Sequence, residues 1–556
     1  MAEQAAPKER PKGLKLLAAA MRNRKSACML GFGFSSGLPY ALLVGQLPTW
    51  MSDSGYKNVT IGILSWIGLS YAFKFLWSPV VDRLQLPFLE RIGRRKSWIM
   101  LCQVVLVAAL IGLVVTRPEG NLGTFAVFAF VGALASATQD IAVDAWRIDQ
   151  ADETVPIEIL SPVYQFGYRT AAIVGGAFAL FLAARMSWPA VYGIMAALMG
   201  LLVLLTLSAP DSLRPDKAAL HSALAQPGEL LPGVRAIALV VVGLGWIWAI
   251  GRLISFMILV LDPAPGAKPP SVADFTKYNA PWIVGATVLL PLIVAAVTNW
   301  MKVRKKAILV EVDEHHSSIR TAANHLYSAL VSPLAELSGR LGWGVLVLIG
   351  LILTYSLCYN VWVTFANPFY LNYLHYTKDE IAFASKIFGI FMTMFGISLG
   401  GYCFARFGRF PTLLLGALLP ILGNLAYADL ADGGPVIDAI VLPLFGWTSA
   451  EPRMLRILAA IAIENVTVGL AGAAFVAYVS SVVNKQYTAV QYALLSSLTF
   501  LIGGIGRGVA GELMDSAGYA YVFRATAVMG LVAVAFVLAE WARTSREARL
   551  SQATPG

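Results

Sequence analysis

Apolar residues run through this chain in blocks of roughly twenty, separated by short polar segments rich in Lys and Arg. At 1.5 Å per residue, about 20 such residues cross the ~30 Å hydrocarbon core of a bilayer. Blocks near 27–50, 59–81, 97–116, 122–144, 162–184 and 188–208 predict six spanning helices. Two more fall near 235–261 and 281–301, and a further six near 344–369, 380–404, 410–428, 456–482, 488–511 and 520–541. The pattern therefore predicts an N-terminal segment 1–25, a six-helix half over 26–208, and a region 209–343 of loops holding an inserted helix pair. A second six-helix half over 344–541 and a tail, 542–556, complete it.

Basic residues give the fourteen predicted spans a direction. With the N-terminus inside, the inner segments hold 28 of the 42 Lys and Arg, and the outer loops hold eight. That asymmetry is what the positive-inside rule requires, and it places both termini in the cytoplasm. The apolar run after the first 25 residues is too long for a signal-peptide core and precedes no small-residue cleavage site. It is expected to remain as the first span.

Composition agrees with a lipid solvent. The 556 residues are 58% hydrophobic and 13% charged, with a mean hydropathy of +0.68. A soluble protein averages about 45–50% apolar and about 25% charged. The net charge of +10 would point a soluble chain toward nucleic acid, but here it resolves into inner loops, and no nucleic-acid partner is expected. Cys28, Cys102, Cys358 and Cys403 form no CxxC pair and read as small packing residues. The five histidines form no HExxH, and no nucleophile–base arrangement appears. Enzyme, metal-site and cofactor readings are therefore set aside.

A weak internal repeat organises the two halves. WSPVVDRL…ERIGRRK joins spans two and three, and GGYCFARFGRF (400–410) joins spans ten and eleven, at matching places in the two six-helix blocks. Two related halves around a central path is the architecture of the major facilitator transporters, and DRLQLPFLERIGRRK resembles that superfamily's inner-loop signature. Asp82 and Arg83, with Arg94 and Arg95, would then latch two helix ends at the inner gate. A plain basic loop that only enforces topology is the alternative, and the echo at Arg406 and Arg409 in the second half favours the latch.

Ionisable residues inside spans cost about 2.5–3.5 kcal/mol each on insertion scales, so each needs a reason. In ATQDIAVDAWRID, Asp140 and Asp144 lie four apart on one helical face, with Gln139 adjacent. Lys74 in span two and Arg169 in span five fall at similar depth, so acids and bases on three helices are expected to neutralise one another. Asp140, with Asp144 second, is the candidate proton-coupling carboxylate, since such a group titrates differently when exposed and when paired. Snorkelling of Lys74 and a purely structural ion cluster are the alternatives. In the second half, Glu464 and Asn465 in span twelve and Lys386 in span ten are candidates for substrate contact or for a buried pair. Arg507 and Glu512 fall toward the outer end of span thirteen and are assigned to an outer gate, while Arg252 has no evident partner. Gly31, Gly33, Gly37 and Pro39 loosen span one, where Tyr40 and Gln46 are candidate cavity-lining residues. Trp50, Trp66, Trp77 and Trp98 sit near span ends and are expected in the interfacial aromatic belt.

GFSSGLPYALLVGQLPTWM, YAFKFLWSPVVDR, ASATQDIAVDAWRID, FGYR and VNKQYTAVQYALLSSL resemble the AmpG-type muropeptide permeases, in the peptide/acetyl-coenzyme A branch of the major facilitator superfamily. The resemblance covers nearly the whole chain. It implies an all-α membrane protein of the major facilitator fold with an extra helix pair between its halves. It also implies proton-coupled import of anhydromuropeptides (GlcNAc-anhydroMurNAc with or without peptide) across the bacterial inner membrane. That import would feed cell-wall recycling and, where a β-lactamase is inducible, its induction. The implied site residues are Lys74, Gln139, Asp140, Asp144, Arg169, Glu464 and Asn465. Sugar-stacking Tyr40, Tyr164 and Tyr168, with Arg169 and Lys386 as cations, suit a sugar-peptide. Span nine departs from the family: CYNVWVTFANPFY offers Asn360 and Asn367 where a Lys and an Asp are expected. A permease for another solute (siderophore, other sugar-peptide or acyl-coenzyme A) and a non-transporting receptor remain as alternatives. A monomer in the lipid bilayer is expected.

Overall fold

The computed structural model describes residues 23–78, 92–152, 157–210, 229–263, 267–308, 330–444, 453–483 and 488–553, apart from a few isolated positions. Asp82 and Arg83 lie outside the described residues, as do 1–22 and most of the loops at 209–228 and 309–323.

Among the described residues, thirteen helices are long and apolar enough to cross a membrane, and a shorter apolar one occupies the place of predicted span two. In chain order the first half comprises α1 (Arg24–Asp53), α2 (Asn58–Phe73), α3 (Arg94–Thr116), α4 (Leu122–Gln150), α5 (Val163–Ala183) and α6 (Trp188–Ser208). The inserted pair is α7 (Pro232–Leu261) and α8 (Val272–Val303), followed by a short helix, α9 (Ser332–Leu341). The second half comprises α10 (Gly344–Tyr373), α11 (Lys378–Phe407), α12 (Arg409–Ala431), α13 (Arg453–Val482), α14 (Leu494–Ala517) and α15 (Tyr519–Glu547).

Local sequence sets the helix ends. Asn23 and Asn121 accept hydrogen bonds from the first turns of α1 and α4, and Thr377 with Glu380 forms a capping box on α11. Gly93 and Gly408, with φ of 102° and 82°, start α3 and α12 in a backbone region open to glycine and strained for other residues. These are corresponding points of the two halves, and the arginines beside them play parallel parts. Arg95 Nε donates to Asp149 at the end of α4 (2.9 Å), and Arg409 donates to Ser481 Oγ at the end of α13 (3.4 Å).

The halves meet along α1 with α10, α2 with α14, and α5 with α11. The backbone is irregular at these meetings. α1, α5 and α11 each carry a π-helical stretch, at Ala41–Gln46, Val174–Phe178 and Ala382–Phe388, and these stretches are neighbours. α10 is interrupted near Ser356 and Val363–Phe365. Irregular backbone at membrane depth is tolerated where protein or water can satisfy the freed amide groups.

The inserted pair lies against the α2–α14 seam. Trp66 of α2 packs on Phe256 of α7 and Phe275 of α8 at centroid distances of 6.0 and 5.9 Å. On the other side, Glu512 of α14 accepts from the amide of Ala273 at the start of α8 (2.8 Å). Glu512 thus fastens the insert, and Arg252 of α7 donates to Asn279 of α8 at 2.9 Å.

The aromatic-belt expectation needs correction. Trp50 and Trp66 are buried; Trp50 sits between Phe125, Trp188 and Tyr192. Among the described residues the exposed tryptophans are instead Trp248, Trp282, Trp300 and Trp343. All four cysteines are buried and unbridged.

Candidate functional site

α4 carries the first-half charges to the centre of the molecule. Asp140 is 9% exposed, with Oδ2 at 3.7 Å from Lys74 Nζ of α2. Ser36 and Lys74 are its hydrogen-bonding neighbours, and Ser136 lies against Tyr71 OH, so Asp140, Ser36, Ser136, Gln139 and Tyr71 form one buried polar cluster. Polar side chains are rarely buried inside a membrane protein without a function, and five at one place mark a candidate site. Tyr40, Tyr71 and Lys74 are only half-buried, so the cluster borders open space. Tyr40 and Tyr71 meet edge to face at 5.0 Å.

The second half contributes Glu464 and Asn465 of α13. Glu464 Oε2 accepts from Tyr427 OH (3.2 Å) and Asn465 Nδ2 (2.9 Å), and Tyr427 bonds in turn to Tyr370 of α10. Asn465 Oδ1 accepts from Thr393 of α11 at 2.8 Å. Lys386 of α11 lies within electrostatic reach of Glu464 without forming an ion pair, its stem laid against Gly176 of α5. Gly176 thereby admits a lysine from the opposite half.

Several predicted site residues are placed differently. Asp144 pairs with Arg147 one turn along α4 (3.0 Å), and its side chain is 44% exposed. Arg169 is exposed and makes no ion pair or hydrogen bond among the described residues, so it does not join Lys74 and Asp140. Gln46 is fully buried and donates to the Gly176 carbonyl (3.1 Å), bracing the π-helical stretch of α5 instead of lining a cavity. Gln139 binds Ser35 of α1 (2.8 Å). Asn360 donates to the Thr499 carbonyl (3.1 Å), and Asn367 donates to Thr49 of α1 (2.8 Å). Tyr164 is buried under the Arg147 guanidinium (5.1 Å), and Tyr168, half-buried, neighbours it at 6.2 Å. Arg94 and Arg95 both approach Asp149, at 3.9 and 2.9 Å, an inner-end partner the sequence reading missed. Arg507, assigned to an outer gate, is buried and donates to the Asn360 carbonyl from mid-helix (3.0 Å).

One end of the molecule is closed by contacts across the halves. Asp53 Oδ2 receives Lys378 Nζ (2.6 Å) and Trp188 Nε1 (2.7 Å). Arg185 grips both oxygens of Asp379, at 2.9 and 3.1 Å. Asp515 of α14 accepts from the Asn58 and Val59 amides at the start of α2 (3.2 and 2.9 Å) and from Asn58 Nδ2 (2.9 Å). A carboxylate from one half thus caps a helix of the other. At the opposite end the ion pairs Lys25–Asp152 and Arg95–Asp149 stay within the first half, and Arg340–Glu336 stays within α9.

A two-halved bundle of spanning helices, charged at its centre and latched at one end, has the architecture of the major facilitator fold. The family model described as acetyl-coenzyme A transporter 1 matches residues 29–120. The chain is 27% identical to the anhydromuropeptide permease of Escherichia coli, over 91% of this chain and 78% of that one. It is 26% identical to the putative transporter AmpG 4 of Rickettsia conorii, over 91% and 94%. The fold is shared with the POT family transporter PepTSo (TM-score 0.56, 13% identity, 97% and 99% covered). A variant of the nucleoside transporter NupG gives a TM-score of 0.55 at 13% identity, with 93% and 100% covered. The AmpG-type resemblance therefore extends along nearly the whole chain, and the protein is a multi-pass protein of the bacterial inner membrane.

Proposed function

We propose that this transporter imports anhydromuropeptides, GlcNAc-anhydroMurNAc with or without peptide, in symport with protons, for peptidoglycan recycling. In bacteria with an inducible β-lactamase, the same import would feed its induction. The substrate class follows the relative named anhydromuropeptide permease, which aligns over most of both chains.

The observation that carries the coupling is the Lys74–Asp140 pair. A carboxylate buried inside a membrane protein, with an ammonium at 3.7 Å, depends on that ammonium to compensate its charge. Moving Lys74 away leaves Asp140 buried and uncompensated, which favours proton uptake; returning Lys74 favours release. Loading from one side and release to the other then follows from alternation of the two halves. Asp140 and its neighbours Gln139, Ser36 and Tyr71 are the proposed proton site. Tyr40, Lys386, Glu464 and Asn465 are proposed to face the cargo, because they are partly accessible or reach the same central space from both halves. The latched end carries the segments that the charge distribution places outside, consistent with a conformation open to the cytoplasm.

Proteoliposomes with an imposed inward proton gradient and labelled GlcNAc-anhydroMurNAc test both parts. Wild type should accumulate the label and lose accumulation on adding a protonophore. Asp140→Asn should abolish gradient-driven accumulation while sparing exchange of label across the membrane. Full accumulation by that variant refutes the coupling role, and wild-type uptake only of a different solute refutes the substrate.

A further inference from the structure

The centre of the molecule holds more cations than its carboxylates answer. Lys74 has Asp140. Glu464 is satisfied by Tyr427 and Asn465, with no cation within 4.0 Å among the described residues. Lys386 and Arg507 have no carboxylate within that distance among the described residues. A guanidinium inside a membrane protein without an anion is costly, and Arg507 is 7% exposed.

The surroundings of Arg507 explain how it is held, and leave its charge unanswered. Its Nε donates to the Asn360 carbonyl at the break in α10 (3.0 Å). Its Nη groups make no hydrogen bond or ion pair among the described residues, yet they are not sealed away as fully buried atoms. α2 makes room: Nη1 lies 3.5 Å from where a Cβ on Gly68 would stand. Two half-buried phenols lie within electrostatic reach of the guanidinium. Tyr40 is within electrostatic reach of both Arg507 and Asp140, and Tyr359 of both Arg507 and Glu464. The guanidinium fork is therefore fixed at one nitrogen, free at two, and joined through tyrosines to the acids of both halves.

We propose that Arg507 is the anchor for a carboxylate of the transported substrate, received between Tyr40 and Tyr359. This deepens the anhydromuropeptide reading and rests on it. A planar fork takes a carboxylate through two parallel charge-assisted hydrogen bonds, which an ammonium cannot reproduce. The free lactyl carboxylate of GlcNAc-anhydroMurNAc, or a peptide carboxylate in the longer substrates, is of this class. Arg507 sits on α14 against α2, so an anion bound there bridges the two halves.

The test compares GlcNAc-anhydroMurNAc with its lactyl carboxamide, binding each to the purified full-length protein by calorimetry. Wild type should prefer the acid by about 10- to 100-fold. Arg507→Gln should remove that preference while binding the amide within about threefold of wild type, and Arg507→Lys should restore only part of it. A preference surviving in Arg507→Gln overturns the anchor. Equal loss for both ligands, with a lowered melting temperature, also overturns it and makes Arg507 a brace for the α10 break. Wild-type protein that binds neither ligand sinks the anhydromuropeptide reading itself, and the anchor with it, a result distinct from either failure of the variant.

Discussion

Asp515 gives the sharpest test of whether the latched end governs alternation. Replacing it with Ala removes three hydrogen bonds, two of them to the first amides of α2, whose own N-cap position, Lys57, offers no side-chain acceptor. Loss of a capping side chain costs about 0.5–2 kcal/mol, and a carboxylate at a helix N-terminus adds about 0.3–1 kcal/mol. Water reaches the same amides once the halves separate, so the differential effect belongs near 1–2 kcal/mol. That is a 5–30-fold shift away from the closed end. Spin labels at Met186 and Val436, exposed near this end in opposite halves, would report it by electron–electron distance measurement. Wild type should give a narrow short distance, and Asp515→Ala a second, longer population. An unchanged distribution would show that the cross-half cap is incidental and that Asp53–Lys378 or Arg185–Asp379 suffices.

Other perturbations have equally direct readouts. A Cβ at Gly33 would stand 2.1 Å from the Tyr164 carbonyl, so Gly33→Ala should cost about 1–3 kcal/mol and lower the melting temperature. Gly45 has no atom within 4 Å of that position, and Gly45→Ala should leave the melting temperature unchanged or higher. Gln46→Leu removes the donor to the Gly176 carbonyl, and should cost about 1–3 kcal/mol, read as a loss of thermal stability. Asp152, in the loop after α4, is held below the usual carboxylate range first by its hydrogen bond to Lys25 and then by Thr154. Its contribution is present above the unfolded value near 3.9 and is lost as the pH falls through the lower folded value. The melting-temperature difference between wild type and Asp152→Asn should therefore hold from pH 8 to pH 5 and shrink only below about pH 4.

Hydrophobic blocks made the spanning helices and the two-halves-plus-insert order legible, because burial in lipid dictates length and composition together. The Lys74–Asp140 pairing was readable for a related reason: opposite charges at one depth on neighbouring helices have few other solutions. Direction around a helix was harder. Arg169 matches Asp140 in predicted depth, yet it is exposed and bonds to neither member of the pair, and depth alone carries no azimuth. Trp50 and Trp66 misled because a tryptophan near a span end suits an interface and a packed core equally. Gln46 was misread because its partner, the Gly176 carbonyl, is offered at a π-helical stretch with no distinctive sequence. Arg507 was put too far out because its helix was expected to stop near 511. It continues to Ala517, which leaves Arg507 ten residues, about 15 Å, from the end.

The inserted pair is fastened on both banks of one seam, to Trp66 of α2 on one side and to Glu512 and Gly508 of α14 on the other. Any swing that parts α2 from α14 must therefore flex the insert or tear one attachment. α7 and α8 act as a tether that limits how widely this flank can gape. The freer excursion belongs to the far flank, where α5 and α11 face each other without such a strap.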